Sequence, residues 1–279
     1  MNVFLSPYQD LSDISELRDR LRKHKKTEYL HLAGVTDSGK ALTVYALGQD
    51  FQVRILVAAE EQRAKELYEE LSFFDPNTVY FPGKDLLFFQ SDIRGNALTI
   101  PRIEAMDRIL SYWAGSNVDQ AQDSTAGFRL VTTVGALMNR IPSKEAFQKG
   151  IHVLQVEDEL DLEEFRKSLI REGYDVVSQV EDKGQFAVRG GIIDIFPLNL
   201  DNPVRIELFG DEIDTIKFFE VSSQRSTEKM DTVRILPAHE YVMTDQEREE
   251  GTLRMEEEMK DMRFKNEQVQ FDFDPMNTM

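Results

Sequence analysis

The chain has 279 residues, a length that indicates two domains or one domain with an insertion. Its net charge of −18 opposes non-specific attraction to DNA or RNA, and the absence of cysteine excludes disulfides and thiolate metal sites. No apolar run reaches the length of a membrane span and the first residues lack the features of a signal peptide, so we expect a cytoplasmic protein without a membrane partner.

Strands and helices are predicted to alternate through the first half of the chain. The strands are predicted at Tyr29–Ala33, Val53–Ala58, Thr78–Phe81 and Arg129–Thr133, and the helices at Lys40–Leu47, Glu60–Leu71 and Thr99–Trp113. Short apolar strands separated by amphipathic helices are typical of a parallel sheet with crossover connections. The polar, turn-rich segment 115–127 is predicted to be a mobile surface loop.

A glycine-rich sequence follows the first predicted strand, at the sheet edge where such folds bind ligands. Gly34, Gly39 and Lys40 have the spacing Gly-x-x-x-x-Gly-Lys of a phosphate-binding loop. The next residue is Ala41, where nucleotide hydrolysis needs a serine or threonine hydroxyl to coordinate Mg²⁺. We interpret the loop as vestigial and expect no cofactor, although backbone amides at the start of the helix would suit an adventitious sulfate or phosphate.

The pattern changes after Gly150. A strand at 151–156 leads into a helix with Asp161 as the predicted N-cap, Glu164 reaching back as in a capping box, and Gly173 as the left-handed stop. From Tyr174 onward, short β-rich runs separated by turn residues predict a small antiparallel sheet.

A helical segment is predicted beyond Pro237. Met255, Met259 and Met262 fall on one face of it, and we assign this methionine stripe to the core. The four histidines are too scattered in sequence to suggest a metal site.

Two long motifs carry a resemblance to a known family. Residues 185–197 read Gln-Phe-Ala-Val-Arg-Gly-Gly-Ile-Ile-Asp-Ile-Phe-Pro, and residues 204–214 read Val-Arg-Ile-Glu-Leu-Phe-Gly-Asp-Glu-Ile-Asp. In this order and at this separation they resemble domain 2 of the UvrB-homology module shared by UvrB and the bacterial transcription-repair coupling factor, Mfd. Segments 222–226 (Ser-Ser-Gln-Arg-Ser) and 236–240 (Leu-Pro-Ala-His-Glu) resemble the coupling factor more than UvrB.

The departures from UvrB also favour the amino-terminal module of the coupling factor. UvrB has a working Gly-Lys-Thr and a long aromatic hairpin that enters damaged DNA, whereas this chain has Ala41 and too few residues after Tyr80 for the hairpin. The resemblance implies an α/β fold in which an incomplete RecA-like, helicase-like parallel-sheet domain (1a/1b) carries an inserted small α+β antiparallel domain similar to UvrB domain 2. It places domain 1a at 1–149, domain 2 at 150–236 and a helical segment of domain 1b at 237–279, returning to domain 1a.

The function implied by the resemblance is docking of domain 2 onto UvrA, which recruits UvrA to start transcription-coupled nucleotide excision repair. The full-length family protein is an ATP-dependent DNA translocase that reaches RNA polymerase and upstream DNA through other domains. This portion is therefore expected to hydrolyse no ATP and to bind little nucleic acid.

Four residues match the UvrA-docking positions of the family. They are Phe186, Arg189, Arg205 and Glu207. Ala187 departs from UvrB, which has a second arginine there. Without the resemblance, the charged members would be interpreted as cross-strand pairs on a solvated sheet, and we assign the segment Asp194 to Pro197 mainly to structure. Charge reversal at Arg189 is expected to abolish UvrA capture without unfolding the chain.

The alternative is a P-loop nucleotide-binding or helicase-like ATPase domain, based on Lys40 and its loop. That function needs a catalytic acid, a Mg²⁺ ligand and an arginine from a second motor domain, and the sequence supplies no candidate for any of them.

Overall fold

The computed structural model describes residues 11–23, 29–84, 96–114, 128–243 and 245–271. Its helices are α1 (Ser12–Lys23), α2 (Asp37–Gly48), α3 (Glu61–Phe74), α4 (Asn96–Ala114), α5 (Val134–Met138), α6 (Lys144–Lys149), α7 (Leu162–Arg171) and α8 (Asp245–Phe271). Its strands are β1 (Val53–Ala58), β2 (Thr78–Phe81), β3 (Phe128–Thr133), β4 (His152–Gln155), β5 (Asp175–Val176), β6 (Gln185–Arg189), β7 (Ile192–Ile195), β8 (Val204–Phe209), β9 (Glu212–Phe219), β10 (Ser226–Met230) and β11 (Thr232–Ile235). The loop predicted at 115–127 lies outside the described residues.

A parallel sheet with strand order β1-β3-β2 forms the first half of the fold. Neighbouring residues of β3 point to opposite faces, so Leu130 joins the core that contains Ile103 of α4, whereas Val131 joins the core that contains Leu67 of α3. The predicted parallel sheet covered by crossover helices is therefore confirmed.

The strand predicted at Tyr29–Ala33 is wrong. This segment pairs with no strand among the described residues, and its Tyr29 and Leu32 side chains are exposed. An apolar run shows that residues favour burial, but a strand also needs a hydrogen-bonding neighbour, which the described residues do not provide here.

A six-stranded sheet with order β10-β9-β8-β7-β6-β5 forms the second half. Its neighbouring strands are antiparallel, as predicted, apart from a parallel contact of two residues between β5 and β6. The inner face of the sheet packs into the same core as Phe165 and Leu169 of α7, and Ile193 and Ile206 contribute fully buried side chains to it.

Both ends of α7 follow the prediction. The Asp161 carboxylate accepts a hydrogen bond from the backbone amide of Glu164 at 2.9 Å, which caps the amino end. Gly173 has φ +92° after the carboxyl end, and a Cβ there would lie 2.4 Å from Cγ of His239. Only glycine fits this stop without a shift. The Glu164 side chain pairs with Arg171 at 2.8 Å instead of completing a capping box.

Two ion pairs join α4 to the chain that leaves the six-stranded sheet. The buried guanidinium of Arg102 donates to both carboxylate oxygens of Glu240, at 2.6 and 3.1 Å. Arg234 of β11 donates to Asp107 at 2.6 Å. Since Arg102 and Asp107 both belong to α4, this helix anchors the return of the chain.

The core assignment of the methionine stripe on α8 is wrong. Met255, Met259 and Met262 are all exposed, and no described element packs over them. The helical spacing was identified correctly, but spacing alone does not establish that a partner surface is present. None of the helices in the described ranges has the length and apolar character required to cross a membrane.

A candidate protein-docking face

The outer face of the six-stranded sheet carries most of the predicted docking residues. Side chains alternate along β8, so Val204 and Ile206 are buried inside while Arg205, Glu207 and Phe209 point outward. On the neighbouring strands, Arg189 lies opposite Ile192, which in turn lies opposite Glu207. We define the docking face as Arg189, Ile192, Arg205, Glu207 and Phe209.

A buried carboxylate connects the two arginines of this face. Asp194 lies opposite Arg205 in the pairing of β7 with β8 and is fully buried. Its Oδ1 accepts from Nε of Arg205 at 2.7 Å, and its Oδ2 accepts from Nη2 of Arg205 at 3.0 Å. Oδ2 also accepts from Nη2 of Arg189. The three side chains form one ionic cluster.

Arg205 is held against the sheet. Its side chain is only 15% exposed, and Nη1 donates to the Gln224 carbonyl at 3.2 Å. The guanidinium carbon lies 4.9 Å from the centre of the Phe219 ring, and the hydrogen bond to Asp194 raises the pKa of the guanidinium. Arg189, by contrast, has a side chain that is 52% exposed. Of the two arginines, Arg189 is therefore the one that can reach a partner.

Glu207 remains ionised within a polar cluster of its own. Its Oε2 accepts from Nζ of Lys217 and from Oγ1 of Thr215, both at 2.9 Å. The hydrogen bond from Lys217 lowers the pKa of the Glu207 carboxyl. The residue offers a partly exposed carboxylate beside the exposed Ile192.

The contact predicted for Phe186 conflicts with its position. Phe186 lies an odd number of residues before Arg189 on the same strand, so its side chain points to the opposite face. It is fully buried in the core that also contains Ile193. Phe186 supports the sheet from inside and is not a surface anchor.

Phe209 is, with Ile192, one of the two docking-face residues that the sequence analysis missed. It is 84% exposed at the end of β8, just before Gly210, whose φ of +66° turns the chain into β9. Its position two residues after Glu207 was the available signal, because such residues share one face of a strand. Exposed aromatic and arginine side chains are the commonest anchors of protein interfaces.

The glycine-rich loop contains an internal ion pair. Nζ of Lys40 lies 2.6 Å from Oδ1 of Asp37, the first residue of α2, and this hydrogen bond lowers the pKa of Asp37. Ala41 is buried with its methyl group in the core beneath α3. The Lys40 ammonium thus pairs with a carboxylate of the same loop.

A second carboxylate lies at the carboxyl edge of the parallel sheet. Glu61 accepts from the backbone amide of Gly83 and from the Tyr80 hydroxyl, both at 2.8 Å, and from the Thr133 hydroxyl. Tyr80 and Thr133 lie at the carboxyl ends of β2 and β3 and Gly83 just follows β2, at the edge where folds of this type bind ligands. These donors are satisfied by the protein itself.

His152 has the contacts of a structural imidazole. Its Nε2 lies 2.7 Å from Oε1 of Glu172 and 3.4 Å from Oγ of Ser168. Within the described residues, no group of three or more His, Asp or Glu side chains is arranged to hold a metal ion.

Comparison with known proteins confirms the resemblance found in the two motifs. Residues 153–241 match the family described as the UvrB interaction domain. The chain is 27% identical over 220 residues to the transcription-repair-coupling factor of Bacillus subtilis, which covers 78% of this chain and 18% of that protein. It is 30% identical over 260 residues to UvrABC system protein B of Thermosipho africanus, which covers 86% of this chain and 37% of that protein.

A third relative gives the same result. The transcription-repair-coupling factor of Haemophilus influenzae is 27% identical over 216 residues, covering 77% of this chain and 18% of that protein. The chain thus spans less than a fifth of the coupling factors and somewhat more than a third of the UvrB protein. The family match overlaps the segment predicted as domain 2, and the boundaries at 149 and 236 stay predictions.

Proposed function

We propose that this chain is the protein-interaction module of a transcription-repair coupling factor and recruits UvrA to start transcription-coupled nucleotide excision repair in the cytoplasm. One observation carries the proposal: the docking face lies wholly within residues 153–241, the segment that matches the UvrB interaction domain. Similarity to two kinds of repair protein supports the same function.

The chemistry of the docking face suits a protein partner. It combines an exposed aromatic ring, an exposed guanidinium and a carboxylate, whereas nucleic-acid affinity comes largely from neutralised phosphates. The net charge of −18 makes direct binding of nucleic acid weak. RNA polymerase and upstream DNA would be bound by other parts of a longer coupling factor.

Capture of UvrA by the immobilised chain tests this function. We expect Phe209→Ala to weaken capture by at least about tenfold, because truncation of a well-placed aromatic anchor typically costs 2 kcal/mol or more. Phe73→Ala is the matched control, since Phe73 is 75% exposed on α3, away from the six-stranded sheet. Circular dichroism establishes that both variants fold.

Capture by Phe209→Ala, compared with capture by Phe73→Ala and by the unaltered chain, tests whether UvrA binds at the Phe209 side of the sheet. Equal capture by all three proteins would exclude the Phe209 side of the sheet as the recruiting surface. A failure of the unaltered, folded chain to capture UvrA would contradict the proposed function itself.

We also propose that this portion hydrolyses no ATP and has no cofactor. The support is local: Ala41 has no side-chain oxygen for Mg²⁺, and Lys40 is paired with Asp37. A sulfate or phosphate held on the backbone amides at the start of α2 would be adventitious.

Titration calorimetry with Mg·ATP separates this proposal from a nucleotide-binding function. We expect no saturable heat for the unaltered chain and an identical trace for Lys40→Ala, because Ala41 supplies no side-chain oxygen to coordinate Mg²⁺. Saturable heat that disappears in Lys40→Ala would favour the P-loop alternative.

A further inference from the structure

We propose that Asp194 is a positioning residue of the docking face: it fixes the guanidinium of Arg189 in the orientation that a partner meets, without touching the partner itself. This inference rests on the function proposed above. It assigns the recruiting contact to a three-residue unit, Arg189, Asp194 and Arg205, instead of to separate surface charges.

The burial of Asp194 excludes a direct contact. The residue is fully buried between β6 and β8, where Ala187 and Arg205 are its neighbours in register. Any effect of Asp194 on partner binding must therefore pass through a side chain that reaches the surface. Arg189 is the exposed residue in contact with it.

Arg205 fixes the carboxylate in place. Its two donors engage one oxygen each, at 2.7 and 3.0 Å, which is the bidentate geometry that holds a carboxylate in one plane. The Gln224 carbonyl and the Phe219 ring also contact the same guanidinium. Oδ2 of Asp194 is consequently presented to Arg189 at a fixed position.

The contact with Asp194 restricts the rotamers of the Arg189 side chain. Arg189 lies at the end of β6, beside Gly190 and Gly191, where its long side chain would otherwise sample many rotamers. A rotamer fixed before association removes part of the ordering cost of binding. The ionic cluster contains two guanidiniums and one carboxylate, so one net positive charge remains, and the exposed end of that cluster is Arg189.

A double-mutant cycle on UvrA binding tests the inference. The proteins are the unaltered chain, Arg189→Ala, Asp194→Asn and the double variant, each checked by circular dichroism. We expect each single variant to weaken binding by about tenfold and the double variant to bind no more weakly than Arg189→Ala, because Asp194 acts through Arg189. The loss in Asp194→Asn should also appear mainly as faster dissociation.

A purely structural role for Asp194 gives a different pattern. Equal affinity of Asp194→Asn and the unaltered chain would overturn the inference while leaving the proposed function intact. Independent losses that multiply in the double variant would also overturn it. No binding by the folded, unaltered chain would overturn both.

Arg205→Lys replaces Asp194→Asn in the cycle if Asp194→Asn does not fold. Lysine keeps the charge but cannot donate in the bidentate manner, so the Asp194 carboxylate loses its fixed plane. We expect Arg205→Lys to weaken binding when Arg189 is present and to cause no further loss in the Arg189→Ala variant. An undiminished affinity of Arg205→Lys would contradict the positioning mechanism.

Discussion

Replacement of Arg102 by alanine is expected to lower the free energy of unfolding by about 3–5 kcal/mol, the usual cost of breaking a buried ion pair from one side. The Arg102 side chain is 1% exposed and donates to Glu240 and to the Pro82 carbonyl. Its guanidinium carbon lies 4.0 Å from the centre of the Phe81 ring. Alanine would remove all of these contacts and leave the buried Glu240 carboxylate with Lys84, at 3.2 Å, as its ion-pair partner among the described residues.

Urea unfolding of three variants measures this effect. The double variant Arg102→Met with Glu240→Leu should recover most of the loss, because it removes the uncompensated charge and keeps apolar volume. Arg254→Ala is the control for an exposed pair, since Arg254 and Glu250 lie on α8 with little burial. Its effect should be within about 0.5 kcal/mol. A loss below about 1 kcal/mol in Arg102→Ala would show that Glu240 finds water or another partner.

The outer face of β8 could be predicted from the sequence because it depends on a local rule. Side chains two apart in a strand share a face, which correctly joined Arg205 with Glu207 and could have added Phe209. The same rule, applied to β6, would have separated Phe186 from Arg189. Both errors arose because positions were transferred from a relative without checking strand alternation.

The ionic cluster could not be predicted in this way. Asp194 contacts Arg205 because β7 and β8 pair in one particular register, and contacts Arg189 across β6 and β7. A sequence indicates which side of a strand a residue occupies, but the register between strands is set by turns and by packing of the whole sheet.

The errors at Tyr29–Ala33 and at the methionine stripe share a different cause. Apolar periodicity identifies residues that favour burial, and in both segments it did so without information on the element that would cover them. The described structure leaves Tyr29 and Met259 exposed. Local pattern alone therefore did not predict burial in either segment.

Arg189→Glu is expected to lose UvrA capture and about 2–3 kcal/mol of unfolding free energy together. The new carboxylate would lie beside the buried carboxylate of Asp194, and like charges at this distance disfavour the ionised pair. The cost is below that of a fully broken buried pair because Arg205 still holds Asp194 in a bidentate manner.

The pH dependence separates this repulsion from simple loss of a contact. Repulsion raises the folded-state pKa of the introduced carboxyl above its unfolded value, so Arg189→Glu should regain stability, relative to Arg189→Gln, as pH falls from 7 toward 5. Arg189→Gln has no added charge and should show no such recovery. If Arg189→Glu were as stable as the unaltered chain at neutral pH, the contact between Arg189 and Asp194 would not form in solution. For UvrA capture, Arg189→Gln is a better test than Arg189→Glu. It adds no charge beside Asp194, so its loss of binding reports on the contact of Arg189 with UvrA and not on the stability of the fold.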